Sequence, residues 1–179
     1  DTGWIQLYCE DSQEVLERIL SALGKVLHYD SGSIMLLEGS DLVIKAVHGF
    51  TNPQDVLGVH MPIKKFPLNY QIVTQALPIV LDDVGADNRW QKNRRLPVSG
   101  EVHAWMGVPL VSSGKVLGML AIDNYKPGAY TTNDIPLVTA FANQAAIALD
   151  NARLYAQLHQ RAQQLATLNE LARIVSGEL

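Results

Sequence analysis

The residue types that usually carry chemistry are present in this chain, but they are scattered. Its five histidines, His28, His48, His60, His103 and His159, include no pair at the i, i+4 spacing that sets two imidazoles on one helix face for zinc. The single cysteine, Cys9, supports neither an intrachain disulfide framework nor a thiolate metal cluster. No serine, histidine and acid fall into a nucleophilic grouping, and Ser99-Gly100 and Ser112-Ser113-Gly114 read as turns. Gly107, Gly114 and Gly118 do not form a phosphate loop; they suit close backbone packing and a hairpin turn. What remains is a chemically mixed strand face in "HAWMGVPLVSSGKVLGMLAIDN", residues 103–124. Strand side chains alternate, so His103, Trp105, Gly107, Pro109 and Val111 share one face while Ala104, Met106, Val108 and Leu110 form plain core on the other.

The elements that must position this face follow from the rest of the pattern. Ser12 is expected to cap a first helix over 12–28, with Val15, Leu16, Ile19, Leu20, Leu23, Val26 and Leu27 as its apolar stripe. Ile34–Leu37 and Leu42–Val47 predict a hairpin turned by Glu38-Gly39-Ser40-Asp41. A short extended piece near Val59–Ile63, a helix over 68–76 and a strand at 78–81 come next, ended by Asp82-Asp83. "GADNRWQKNRRLPVSGE" is polar and aperiodic; it predicts a long connection, Gly85 to Gly100 being the most mobile internal segment, with Trp90 tucked inward over a pocket. Thr132 or Asn133 is expected to cap a helix running from Ile135 to about Val175, unbroken by glycine and with Pro136 in its first turn. Its second half carries Leu154, Leu158, Leu165, Leu168, Ala172 and Val175 at alternating spacings of three and four once Arg161 is counted in the seam, a coiled-coil heptad.

Length and composition bound the function. With 179 residues, 47% hydrophobic and 18% charged, the chain is a folded domain with an appendage, not a disordered segment. A net charge of −4, with one basic cluster of Arg94-Arg95, Lys92 and Arg89, does not favour nucleic acid. No apolar run approaches the roughly 20 residues that span a bilayer, and a soluble, cytoplasmic domain is expected. The chain starts at Asp1 without a secretory pattern and stops in "SGEL", so it is expected to be a piece of a longer protein.

The order of helix, hairpin, strand, short helix, strand, long loop, hairpin and long helix predicts an α+β fold, an antiparallel sheet of five or six strands with the first and last helices on one face. Here the sequence resembles the GAF domain family, a PAS-related fold. "GVPLVSSGKVLGMLAIDN" is similar to the family's last two strands, and "YTTNDIPLVTAFANQAAIALDNARLY" to its closing helix with an Asn-Ala-x-Leu ending at Asn151–Leu154. Weaker matches lie at Val26–Leu37 and in "LPIVLDDV" with "DNRW". The resemblance divides the chain into a lead-in at 1–11, a sensor domain at 12–155 and a coiled-coil signalling helix at 156–179.

The resemblance implies small-molecule sensing in a bacterial multidomain protein, with the signal passed to an absent output module such as a histidine kinase or diguanylate cyclase. It implies no catalytic residues in this piece. Strand ends and long connections would surround a cavity, with Phe66, Tyr70, Asp83, Trp90, His103, Trp105 and Tyr125 as candidate lining; aromatic walls with a few polar groups suit a small organic ligand. The alternative is a structural dimerisation spacer whose aromatics fill that cavity. Covalent bilin attachment is not expected, because no cysteine stands beside His103 or His60. Methionine-sulfoxide reduction lacks its core-domain thiolates. Haem has no selecting motif, and no Asn-Lys-x-Phe-Asp-Glu-like sequence marks a cyclic-nucleotide site. Family members often carry Arg-Ser where this chain has His103-Ala104, which leaves the ligand open. The expected partner is a second copy in a parallel homodimer through Leu154, Leu158, Leu165, Leu168 and Ala172.

Overall fold

Alternating side chains along the strands divide the buried interior into two layers. The computed structural model describes residues 3–91 and 100–177, with side chains in the first helix from residue 13 onward. The elements run α1 (Gly3–Gly24), β1 (Ser31–Glu38), β2 (Asp41–His48), β3 (His60–Pro62), α2 (Pro67–Gln75), β4 (Ile79–Leu81), β5 (Ala104–Ser112), β6 (Lys115–Asn124) and α3 (Ile135–Ser176). The described strands form one antiparallel sheet in the order β3-β2-β1-β6-β5-β4. This is the α+β architecture expected from the sequence, with six strands.

The two faces of β5 separate as alternation requires. Ala104, Met106, Val108 and Leu110, with Ile34, Leu120 and Ile122, pack against Leu16, Leu20 and Leu23 of α1 and Val138, Ala142 and Ala145 of α3. On the opposite face Trp105, Met35, Met119 and Ala121 meet Leu68, Ile72 and Val73 of α2 and the apolar residues of the loops. Gly107 sets the spacing there: a Cβ at that position would lie 2.5 Å from Ile72 Cδ1 and 2.6 Å from Trp105 Cη2. The β5–β6 turn is made by Ser113 and Gly114, both left-handed at φ 50° and 74°, the two-residue arrangement whose twist matches the flanking strands.

Two boundaries differ from expectation. Ser12 lies inside α1, which begins at Gly3; a residue good at capping is also tolerated in a helix interior, and no proline or glycine interrupts residues 4–23. The same helix ends at Gly24 rather than near residue 28. Val26 and Leu27 donate their backbone N–H groups to Leu23 O in a closing turn, which leaves Val26 exposed and Leu27 against the core. The capping side chain is Thr131, one residue before the expected pair, and it caps a 3₁₀ turn that leads into α3, whose own N-cap position is Asp134. A 3₁₀ turn at Thr132–Asp134 precedes the helix, and Thr131 N–H donates to Asp134 Oδ2 at 2.8 Å while Asn133 N–H donates to Thr131 Oγ1.

Helix α3 is longer than the sheet beneath it. Its 42 residues extend about 63 Å at 1.5 Å per residue. Val138, Ala142, Ala145 and Ala146 are buried on the sheet, and Ser112 Oγ donates to Asp150 Oδ2, fastening the end of β5 to the helix. Beyond Ala156 every described side chain of α3 is exposed. Among the described residues no helix is long and apolar enough to cross a membrane.

Candidate functional site

On the face of the sheet away from α1 and α3 lies a cavity of about 310 Å³. The sheet supplies its floor: Ser33 and Met35 from β1, Trp105 from β5, and Ala121 and Asp123 from β6. These residues share a face because each lies two positions from the next along its strand. Phe66 and Asn69 enter from the start of α2, and Phe50 and Met61 from the β2–β3 side. The connection between β4 and β5 closes the remaining wall with Val84, Gly85, Trp90, Gln91, Glu101 and Val102.

Trp90 packs edge-on against Trp105, with ring centroids 5.6 Å apart and planes at 63°. Its position is fixed by its neighbour. Arg89 Nη2 and Nε hold the Asp87 carboxylate at 2.6 and 3.0 Å, and Arg89 Nη1 donates to Gln71 Oε1 of α2 at 2.8 Å. The hydrogen bonds from Arg89 hold the Asp87 carboxyl below the usual carboxylate range. Because this pair is exposed, it tethers the loop more than it stabilises the fold.

Asp123 is the cavity's distinctive polar group. It is the cross-strand partner of Ser31 on β1 and of Trp105 on β5. Ser31 Oγ donates to Asp123 Oδ2 at 2.8 Å. The residue is half-buried, and burial pushes its pKa up to about 6. The Ser31 hydrogen bond opposes that rise, and the charge of Asp30 adds to it. Asn69, 7% exposed, lines the same space with no side-chain hydrogen bond among the described residues.

Of the seven sequence candidates, the structure brings three together: Phe66, Trp90 and Trp105. The other four stand outside the lining. Tyr70 faces solvent at 45% exposure, because Leu68, Asn69, Ile72 and Val73 occupy the inward side of α2. Asp83 accepts from Gly85 N–H at 2.9 Å and caps a 3₁₀ turn. His103 precedes the first residue of β5, where the alternation that would align it with Trp105 has not begun; its backbone bonds Asn124 O and Val84 N–H. Tyr125 follows the last residue of β6 and lays its ring over Gly100, where a Cβ would lie 2.6 Å from Cδ2. Sequence reasoning missed Ser33, Asn69, Glu101 and Asp123. A period-two reading of Met119, Ala121 and Asp123 and a helical reading of 69, 72 and 73 hold the signals for two of them. The expectation of mobility over 85–100 falls in part on residues 92–99, outside the described residues. Among the described residues no histidine, cysteine and carboxylate cluster could hold a metal ion.

The family model for the GAF domain matches residues 11–149. In sequence the chain is similar to the anaerobic nitric oxide reductase transcription regulator NorR of Enterobacter sp. (strain 638), 27% identical over 154 residues, covering 83% of this chain and 29% of the regulator. It therefore spans under a third of that relative's length. Its fold is similar to the GAF domain of a phosphoenolpyruvate-protein phosphotransferase from Coxiella burnetii, with a TM-score of 0.71 at 18% identity over 82% of this chain and 86% of that one. It is also similar to the type II free methionine-R-sulfoxide reductase of Thermoplasma acidophilum, with a TM-score of 0.67 at 17% identity over 80% and 96%. At such identities these structures speak to fold alone. With the matching model covering most of the sheet and its helices, the chain belongs to the GAF domain family.

Proposed function

We propose that this chain is the sensing domain of a bacterial, cytoplasmic signalling protein, binding a small organic molecule between β5, β6, α2 and the β4–β5 connection. The observation that carries the reading is the cavity itself: Phe66, Trp90 and Trp105 wall about 310 Å³ without filling it, and polar groups face it. That volume sits at the lower end of small-molecule sites. Aromatics packed into the space would have favoured the spacer reading instead. The role is regulatory, with no catalytic step in this piece.

The output is carried by α3 in a parallel homodimer. Leu154, Leu158, Leu165 and Leu168 are each at least half exposed, and Leu171, Ile174 and Val175 extend the apolar surface. A lone projecting helix of this kind is marginal, whereas two in parallel bury the seam, with Arg161 snorkelling at its edge. Ligand binding transmits only if it favours one of two arrangements of the paired helices. The β5 strand that holds Trp105 also holds Ser112, bonded to Asp150 of α3, which gives a direct mechanical route. The module driven is a histidine kinase on the sequence reading; likeness to a named transcription regulator supports a DNA-acting module as the second choice.

Inserting one alanine after Gln160 in the full-length parent tests this. It turns everything beyond by about 100° relative to the seam. Output should lock or vanish while ligand binding persists; unchanged signalling would contradict the proposal.

A further inference from the structure

Asp123 has one side-chain hydrogen-bond partner among the described residues. A carboxylate has about four acceptor sites. Ser31 Oγ fills one, and among the described residues no lysine, arginine or histidine forms an ion pair with Asp123. Asn69 brings a side-chain amide to the same space, and Glu101 brings a second carboxyl. No described residue of the lining carries a positive charge. A purely apolar ligand would desolvate the Asp123 carboxylate without giving it a partner.

The remaining wall is aromatic. Trp105 stands directly across the strand pair from Asp123, with Trp90 and Phe66 beside it. Faces of this kind attract a cation and pack against an apolar body. We infer that the cavity takes a small organic amine, its protonated nitrogen set against Asp123 and its apolar body among Trp105, Trp90 and Phe66. This assignment rests on the sensing reading above and names its ligand class. The Asp123 carboxyl, whose pKa burial pushes up to about 6, gains from such a partner because a nearby cation favours its charged form.

Isothermal titration of this chain near neutral pH with phenethylamine, 2-phenylethanol and 3-phenylpropionate tests the assignment with three probes of one shape and different charge. The amine should bind at least about tenfold tighter than the alcohol, a difference of about 1.4 kcal/mol, and the carboxylate should give no saturable heat. In Asp123→Asn the amine should fall to the affinity of the alcohol. The probe series on the unaltered chain decides the matter even if that variant folds poorly. Alcohol or carboxylate binding as tight as the amine overturns the amine assignment and leaves the sensing reading intact. No heat from any probe also overturns it, and the sensing reading is then judged separately by what the native protein carries.

Discussion

Trp90 and Trp105 meet edge to face across 5.6 Å, so a residue of the β4–β5 connection completes a wall that β5 begins. Arg89 holds the connection in place through Asp87 and Gln71. Arg89→Ala should therefore loosen Trp90 while leaving global stability nearly unchanged, within about 0.5 kcal/mol for an exposed site. Acrylamide quenching of tryptophan fluorescence should rise in the variant. Quenching equal to that of the parent chain would show that Arg89 does not position the wall.

Asp123 should make the fold less stable as pH rises. Its folded pKa of about 6 lies above the unfolded 3.8, so between these values the folded state holds the proton more tightly. Stability from this group is full below the unfolded value and is lost as pH climbs through the folded one; the difference amounts to roughly 3 kcal/mol at most. Asp30 and Tyr130 are the titratable groups that act on it among the described residues, and neither supplies a positive charge. Asp123→Asn should raise the denaturant midpoint at pH 7 and flatten its change between pH 4 and 7. A lower midpoint at pH 7 would contradict this balance.

Gly107 leaves room for Ile72 of α2 to pack down onto β5. A Cβ there meets the ends of Ile72, Trp105 and Met119 at 2.5, 2.6 and 2.9 Å, so all three side chains must move. Gly107→Ala should cost about 1–3 kcal/mol in urea unfolding and shift Trp105 fluorescence. A variant of parental stability with an unchanged spectrum would mean that this contact is slack.

The exposed seam of α3 predicts self-association. Light scattering should give a dimer mass, and Leu165→Glu, which places a charge between the paired helices, should convert it to monomer without disturbing the sheet. A monomer at high concentration in the parent chain would remove the helix pairing from the account.

Local patterns made much of this legible and register hid the rest. The hairpin at Ser113-Gly114, α2 and the long α3 follow from periods of 2 and 3.6 and from turn residues, which act over a few positions. The same alternation sets Trp105 on the chemically mixed face of β5, and the family resemblance makes it candidate lining of a cavity. His103 and Tyr125 were not placed correctly because each stands one residue beyond a strand end, where alternation no longer directs the side chain. Ser12 failed as a boundary because its hydroxyl favours a helix start without enforcing one. Asp123 was hidden for a different reason: its meaning depends on β1 lying beside β6, which brings Ser31 to it across 92 positions of sequence.

The central claim, that the cavity is a ligand site, is tested most directly by native mass spectrometry of the chain purified from its own host. The account predicts a discrete added mass on each chain, lost on denaturation and absent from Trp105→Ala. The sequence mass alone, or an added mass equally present in Trp105→Ala, would contradict it.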